Sequence, residues 1–288
     1  MLGMTGGIGR ANVALLWLLA FGYAGVFVKI GTMGTFGQDS HAYWLAAQGG
    51  PLYDGRPTEL DAYLYSPLFA QAITPLGWLP WHGFQAVWLA LGVAAAVWLV
   101  RPLPVRWAVP VFLFCVPDLV IGNVYTFLAF MVALGARHST AWLFGALTKV
   151  TPGVGLVWLA ARHDWRAVGV AAVVGAVLVG LSWTVAPDAW ADWLHLLTSG
   201  TGGDPSLVPR CVVAVGLAVA ARDRPWLLAV AVVMATPVFN AAACLVPLAA
   251  TPRLWQHAAH EDSGESWGDY GRVRATRRGR VAGAGVRS

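Results

Sequence analysis

Long stretches of this chain contain no charged side chain. From Ala62 to Val100, and again from Ala167 to Pro187, the sequence has no Asp, Glu, Lys or Arg. Each stretch is long enough for at least one helix to cross a hydrocarbon core about 30 Å thick. Because a backbone in lipid must satisfy its own hydrogen bonds, such segments are helical. The sequence therefore predicts an all-α, polytopic transmembrane helix bundle.

The composition also indicates a membrane protein. Charged residues make up 11% of the chain and apolar residues 58%, whereas soluble domains carry about 25% charged residues. The mean hydropathy is +0.62. Most of the sixteen Trp lie near the ends of apolar segments, as in an interfacial aromatic belt. Membrane lipids are thus the expected surroundings, and the sequence indicates no nucleic-acid partner.

Nine or ten membrane segments are predicted. They are residues 11–30, 66–80, 83–100, 107–121, 123–136, 139–161, 167–186, 208–221, 225–236 and 238–250. Prolines in the shorter segments indicate kinked or partial crossings, which neighbouring helices tolerate. We expect residues 1–250 to form one transmembrane domain. Residues 251–288 have little apolar content and many arginines, which predicts a disordered, basic cytoplasmic tail.

The arginines set the predicted orientation. With the N-terminus in the cytoplasm, the inner side receives Arg10, Arg162, Arg166, Arg222, Arg224, Arg253 and the tail arginines. The outer side receives Arg56, Arg101, Arg106, Arg137 and Arg210. This bias favours a cytoplasmic N-terminus. The protein is therefore expected in the cell membrane, with loops 31–65 and 187–209 outside the cytoplasm.

The first outer loop carries the candidate catalytic acid. Loop 31–65 is too long for a simple turn, and long loops in compact domains are usually functional or disordered. Residues His41 to Gln48 are predicted to form a short helix whose apolar face lies on the membrane. Asp39 then falls at the start of this helix. There it either caps backbone N–H groups or acts as a general base, since an acid held against apolar surroundings gains basicity.

Two cations are candidates for binding an anionic group. Lys149 lies within an apolar segment, where an ionisable side chain indicates function, unless it snorkels to the interface or pairs with Asp118. Arg210 directly follows the second outer loop. Its guanidinium suits a phosphate through two parallel hydrogen bonds, and an interfacial anchor is the alternative interpretation.

Three further polar residues are less specific. Asp118 and Asn123 flank a polar break between two apolar segments, which fits a hinge, a helix cap or the lining of a lipid groove. His195 lies on an amphipathic stretch, where a lone His is more often an ordinary surface residue. The three cysteines lack metal-ligand spacing, and the common metal, nucleotide and hydrolase motifs are absent. No metal or other cofactor is therefore expected.

An ordered series of short motifs resembles glycosyltransferase family 87, a group of polytopic GT-C enzymes. The series spans roughly residues 11 to 250. It comprises Asp39, Tyr43-Trp44-x-Ala46-Ala47, Leu52-Tyr53, Tyr65-Ser66-Pro67-Leu68-Phe69-Ala70, Pro75-Leu76-x-x-Leu79-Pro80, Trp88, Gly122-Asn123, Lys149-x-x-Pro152 and Arg162-x-x-Trp165-Arg166.

The resemblance implies an activity and a set of site residues. Enzymes of this kind resemble inverting mannosyltransferases that take the sugar from a polyprenyl phosphate outside the cytoplasm and pass it to a lipid or glycan acceptor. Asp39 would be the catalytic base, and Lys149 and Arg210 would bind the donor phosphate. The candidate substrate groove comprises His41, Tyr43, Trp44, Tyr65, Asp118, Asn123 and His195.

Two other classes of protein remain open at this point. A transporter or flippase for a lipid-linked or small solute would use Lys149 and Asp118 as intramembrane charges, and would show repeat symmetry. A non-catalytic membrane scaffold would not need Asp39 close to any cation. The gathering of acids in one outer loop favours the enzyme.

Overall fold

The computed structural model describes residues 10–55, 59–149, 153–198, 206–236 and 245–263. In these ranges every regular element is a helix and there is no strand, so the predicted all-α membrane bundle is confirmed. Thirteen α-helices are described: α1 Arg10–Ile30, α2 Gln38–Ala47, α3 Pro67–Gly77, α4 Trp81–Val100, α5 Val105–Ile121, α6 Tyr125–Gly135, α7 Ala141–Lys149, α8 Gly153–Ala161, α9 Trp165–Val185, α10 Pro187–Thr198, α11 Leu207–Ala220, α12 Leu227–Met234 and α13 Thr251–Ser263. A π-helical turn, Gly31–Thr35, extends α1, and a 3₁₀ turn, Val246–Ala250, precedes α13.

Three of the described helices are long and apolar enough to cross a membrane. They are Asn12–Thr35, which joins α1 to the π-helical turn, Trp81–Val100 and Trp165–Val185. Only 11% of the first and third is buried in the protein, against 39% of the second. The apolar faces of α1 and α9 therefore turn to lipid, while α4 lies nearer the centre of the bundle. Tyr125–Gly135 and Leu207–Ala220 are shorter apolar helices.

Hydrogen bonds between helix ends define the two ends of the bundle. Near the start of α1, Trp17 Nε1 donates to the carbonyl of Arg106 at 2.9 Å, at the start of α5. Beyond the other end of α1, the Gly37 N–H donates to the carbonyl of Val120 at 2.8 Å, near the end of α5. The two helices therefore run parallel. We call the end with residues 31–66 the Asp39 end and the other the Arg253 end.

The second predicted segment, residues 66–80, does not cross the bundle. Its helix, α3, has eleven residues and is about 16 Å long at 1.5 Å per residue, too short for a core of about 30 Å. It packs along α2, and Gln48 donates a hydrogen bond to the carbonyl of Gly77 at its C-terminus. Trp44 Nε1 donates to the carbonyl of Leu79 at 2.9 Å. The chain therefore enters α4 from the Asp39 end.

Because α3 does not cross the bundle, three arginines lie at the opposite end from the one predicted. Arg101 directly follows α4 and Arg106 is the second residue of α5, so both lie at the same end as the start of α1. Arg137 follows α6, which begins at the Asp39 end. The predicted orientation, in which residues 66–80 cross the membrane, separates these three arginines from the N-terminus, and the structure contradicts that separation.

The predicted tail begins with an ordered helix rather than with disorder. In α13, Leu254 is fully buried, and Arg253 Nε donates to the carbonyl of Trp98 at 2.9 Å. The guanidinium also lies 3.9 Å from the Trp98 ring centroid, within cation–π range. Composition concealed this helix because a few particular side chains fix it to the bundle, among them Leu254, which packs in the hydrophobic core, and Arg253, which contacts α4. Residues 264–288 lie outside the described residues, so the rest of the predicted tail stays a prediction.

Two hydrophobic clusters form the interior. The first surrounds Trp142 and Trp158, whose indole N–H groups donate to the carbonyls of Gly135 at 3.0 Å and Ala221 at 3.1 Å. The second lies at the Asp39 end and is largely aromatic. Its large members are Tyr43, Tyr63, Tyr65, Phe69, Phe84 and Trp88. This second cluster, which we call the aromatic cluster, positions the candidate site.

Candidate active site

Asp39 lies in the first turn of α2, not at its cap. The helix begins after Gly37, whose φ of +76° favours glycine, and no side chain caps its N-terminus. The predicted short helix is therefore present, three residues earlier than expected. Its apolar face differs from the prediction, because Tyr43, Ala46 and Ala47 are buried against the protein and not laid on the membrane.

The carboxylate of Asp39 is held by the turn between α5 and α6. Asn123 Nδ2 donates to Asp39 Oδ2, and Asn123 Oδ1 accepts the N–H of Val124 at 2.6 Å. The amide is thus fixed at both ends, which orients the carboxylate that it contacts. Asp39 itself is half-buried, so it lies at the boundary between the interior of the bundle and its surroundings.

Asp118 is fully buried and serves α6. Its Oδ2 accepts hydrogen bonds from the Thr126 N–H at 2.8 Å and the Thr126 hydroxyl at 2.6 Å. These bonds satisfy a donor in the first turn of α6 that has no partner within the helix. Of the three interpretations left open by the sequence, the structure supports the helix cap. No signal in the sequence pointed to Thr126, because the carboxylate that it contacts lies eight residues earlier, in the preceding helix.

Close packing fixes the turn that carries Asn123. Gly122 has a φ of +78°, and its carbonyl accepts the Trp88 indole N–H at 2.9 Å. A Cβ added at Gly122 would lie 2.5 Å from Ser40 Oγ and 2.7 Å from Ser40 Cβ. Only glycine therefore permits α2 to approach the turn closely enough for Asp39 and Asn123 to meet.

Four tyrosines of the first loop and α2 form a hydrogen-bonded group behind Asp39. The hydroxyls of Tyr43 and Tyr65 are 2.8 Å apart. Tyr53 donates to the carbonyl of Tyr65 at 2.7 Å, and Tyr63 donates to the carbonyl of Ser66 at 2.9 Å. The loop is thereby anchored to the aromatic cluster by its own side chains, which explains how a long loop stays in place.

These phenols remain protonated at ordinary pH. Burial raises the pKa of Tyr43, Tyr63 and Tyr65 well above the usual value, and the negative charge of Asp39 raises those of Tyr43 and Tyr65 further. The effect of Asp39 on both phenols reflects its closeness to them. A carboxylate beside neutral hydroxyl donors is an arrangement that can accept a proton from a substrate hydroxyl.

His41 and Trp44 form a second group on the outer side of α2. His41 Nδ1 lies 2.7 Å from Asp61 Oδ1. The imidazole stacks on Trp44 with ring centroids 5.6 Å apart and meets the edge of Trp81 at 4.7 Å. Sequence reasoning did not single out Trp81, which follows directly on Pro80 at the start of α4.

Arg210 lies on α11 and binds the end of α12. Its Nη1 donates to the carbonyls of Met234 at 3.2 Å and Thr236 at 2.7 Å, and its Nε donates to Ser206 Oγ at 3.1 Å. A cation at a helix C-terminus satisfies carbonyls that lack helical partners. These hydrogen bonds of Arg210 join α11 to α12, and none of these three partners is in the Asp39 group.

His195 and Lys149 belong to elements beside the aromatic cluster. His195 is exposed on α10. On the same helix, Asp192 lies close enough to Tyr53 to add to the increase in its pKa, which burial mainly causes. Lys149 ends α7, a helix that packs on α3 through Phe144, 6.2 Å from Phe69 between ring centroids. The side chain of Lys149 lies outside the described part of the structure.

The described side chains contain no preformed metal centre. Within the described ranges, no group of three or more His, Cys, Asp or Glu side chains is placed to hold a metal ion. What the geometry does offer is one oriented carboxylate, a row of neutral hydroxyl donors and a surrounding wall of aromatic rings.

Fold and site together define a polytopic helical membrane protein with an oriented carboxylate at one end of its bundle. Residues 63–264 match the sequence model of glycosyltransferase family 87, and the chain belongs to that family. It is therefore a membrane-embedded glycosyltransferase. No curated protein and no solved structure matches the chain significantly.

The matched range contains only part of the candidate site. It includes Tyr65, Asp118, Asn123, Lys149, His195 and Arg210, and it begins after Asp39, His41, Tyr43 and Trp44. The assignment of the α2 residues to the site therefore depends on their contacts with the matched part of the chain. The bond from Asn123 to Asp39 is the most direct of these contacts.

Proposed function

We propose that this protein transfers mannose from a polyprenyl-phosphate donor to a lipid or glycan acceptor at the outer face of the cell membrane. The observation that carries the proposal is the hydrogen bond from Asn123 to Asp39. It gives one half-buried acid of the first loop a fixed orientation against the family-matched bundle, as a general base requires.

In the proposed reaction the acceptor hydroxyl oxygen attacks the anomeric carbon of the donor sugar. The bond between that carbon and the phosphate oxygen breaks, and the hydroxyl proton passes to Asp39. The leaving group departs as a polyprenyl phosphate, whose growing negative charge a nearby cation stabilises. Lys149 is the stronger candidate for this cation, because Arg210 already donates to the end of α12.

The distribution of basic residues supports an outward-facing site. The Asp39 end carries Lys29 at the end of α1 and Lys149 at the end of α7, and Arg210, in the first turn of α11, also lies away from the Arg253 end. The Arg253 end carries most of the arginines, namely Arg10, Arg101, Arg106, Arg137, Arg162, Arg166, Arg222, Arg224 and Arg253. Since basic residues favour the cytoplasmic side, the Asp39 end faces outward. The corrected path of α3 makes this asymmetry stronger than the sequence alone indicated.

The test uses membranes that contain the full chain. Membranes are supplied with radiolabelled polyprenyl-phosphate mannose, and the lipid products of the wild type and of Asp39→Asn are resolved. The proposal expects a labelled product from the wild type and none above background from the variant. Label transferred only from a different polyprenyl-phosphate sugar would overturn mannose, and no labelled product from any such donor would overturn the donor class.

The transporter and scaffold alternatives lose their support. Membership of a glycosyltransferase family favours an enzyme. In addition, the buried Asp118, which a transporter was expected to use as an intramembrane charge, holds the first turn of α6 in place.

A further inference from the structure

The outer side of α2 carries a polar pair framed by indole rings. His41 and Asp61 have side chains that are 32% and 34% exposed, and they are joined at 2.7 Å. The rings of Trp44 and Trp81 lie 5.9 Å apart between centroids, and both contact the His41 ring. Both indoles are partly exposed, so polar and aromatic surfaces are available at one place.

The backbone holds this arrangement at some cost. Asp61 adopts a φ of +64°, a left-handed conformation that costs an L residue about 1 kcal/mol or more. Trp44 is fixed by its indole N–H, which donates to the carbonyl of Leu79 at 2.9 Å. Trp81 stacks on Phe84 at 6.2 Å, and through it on the aromatic cluster. The four side chains are therefore set in place before any ligand arrives.

We propose that His41, Asp61, Trp44 and Trp81 form a binding subsite for a pyranose ring of the acceptor. The inference rests on the proposed function and names the chemical class of its acceptor. A pyranose presents apolar C–H faces, which suit indole rings, and hydroxyl groups, which need polar partners. With the Nδ1–H of His41 donated to Asp61, Nε2 is the ring nitrogen left to accept a sugar hydroxyl.

The position of the subsite relative to Asp39 fits this role. His41 follows Asp39 by two residues on α2, about 3 Å along the helix axis, and residues at this spacing do not share a face of the helix. The subsite therefore holds a ring of the acceptor next to the reacting one, and the ring whose hydroxyl gives its proton to Asp39 lies around the N-terminus of α2. Asp61 acts as a positioning residue, because it orients the imidazole of His41 and does not bind the sugar itself.

An interfacial aromatic belt does not account for this group. Trp78, at the end of α3, is 86% exposed and has the character of such an anchor. By contrast, a belt residue has no need for an imidazole and a carboxylate fixed between two indoles. The polar pair distinguishes a ligand site from a membrane contact.

The experiment measures sugar binding without a donor, so it does not depend on transfer. Purified full-length protein in nanodiscs is incubated with methyl α-mannopyranoside or methyl β-glucopyranoside at millimolar concentration, and saturation-transfer NMR reports binding. We expect a signal for at least one pyranoside in the wild type. His41→Gln and Asp61→Gly should weaken the affinity about three- to tenfold, as expected for the loss of one hydrogen bond. Trp81→Ala should weaken it at least as much.

Matched control variants distinguish the loss of the subsite from a general loss of folding. His82→Gln changes the exposed neighbour of Trp81, and Trp165→Ala removes an indole, 63% exposed, at the other end of the bundle. Both should bind like the wild type. Asp61→Asn keeps an acceptor for Nδ1–H and tolerates the positive φ, so it should retain most of the affinity that Asp61→Gly loses.

The outcomes separate this inference from the proposed function. No pyranoside signal in the wild type, or unchanged binding in His41→Gln and Trp81→Ala, overturns the subsite even if transfer occurs. Binding that depends on these residues, together with absent transfer from every polyprenyl-phosphate sugar, leaves the subsite standing and removes the proposed donor.

Discussion

At the scale of single residues, Asp39 carries the sharpest prediction. Asp39→Asn keeps the size of the side chain and an oxygen that can accept from Asn123 Nδ2, but it removes the base. Because general-base catalysis contributes about 10²–10⁴-fold, sugar transfer should fall by that amount while the protein still folds and inserts. Asp54→Asn, an exposed acid of the same loop, is the control and should transfer normally. Near-normal transfer by Asp39→Asn would falsify the assignment and direct attention to Asp54, Glu59 or Asp61.

The pair formed by Tyr43 and Tyr65 predicts a response to alkali. The native pKa of both phenols is raised, first by burial, whereas unfolded phenols titrate near about 10. The unfolded state therefore loses these protons first, so the contribution of the two phenols to the free energy of unfolding is constant below about pH 10 and falls above it. Tyr65→Phe should cost about 1 kcal/mol at neutral pH through the lost hydrogen bond, and less above about pH 10. Thermal unfolding in nanodiscs at several pH values measures this, and a pH-independent difference from the wild type would contradict it.

At the scale of elements, the turn between α5 and α6 depends on Gly122. Gly122→Ala puts a Cβ 2.5 Å from Ser40 Oγ at a φ of +78°. The left-handed backbone alone costs about 1–2 kcal/mol, and the overlap adds about 1–3 kcal/mol. We expect a lower melting temperature and reduced transfer, because Asn123 moves with the turn.

A second glycine provides the comparison for this prediction. Gly180 lies within α9, and nothing is within 4 Å of the position that a Cβ would occupy. Gly180→Ala should leave both stability and transfer close to those of the wild type, or raise stability slightly through better helix propensity. If the two substitutions have equal effects, the close approach of α2 to the turn is not the reason that position 122 requires glycine.

At the scale of the whole molecule, the path of α3 predicts the topology. Among the helices that the structure describes before residue 103, only α1 and α4 cross the bundle, so a reporter fused after Leu103 should be cytoplasmic. Counting residues 66–80 as a crossing gives an external reporter instead. Fusions after Glu59 should be external, and those after Arg277 should be internal, because α13 lies at the same end as the start of α1. A cytoplasmic reporter after Glu59 would invert the orientation and place the site inside.

The sequence by itself determined the class of fold and much of the first loop. Charge-free stretches such as Ala62–Val100 permit few structures other than membrane helices, since apolar length and backbone hydrogen bonding act along the chain. The short helix near Asp39 was also predictable, because helix formation depends on residues that are close in the sequence. The sequence also identified Asp39, Asn123 and Asp118 as candidate site residues.

Only the tertiary structure decided how these parts meet. Whether α3 crosses the bundle depends on its packing along α2, which apolar content cannot show because a buried helix and a spanning helix have the same composition. The roles of Asp118 and Arg210 depend on which helix ends they reach, at Thr126 and Thr236. The bond between Asn123 and Asp39 joins residues 84 positions apart. Such contacts are set by three-dimensional packing, and local sequence pattern does not specify them.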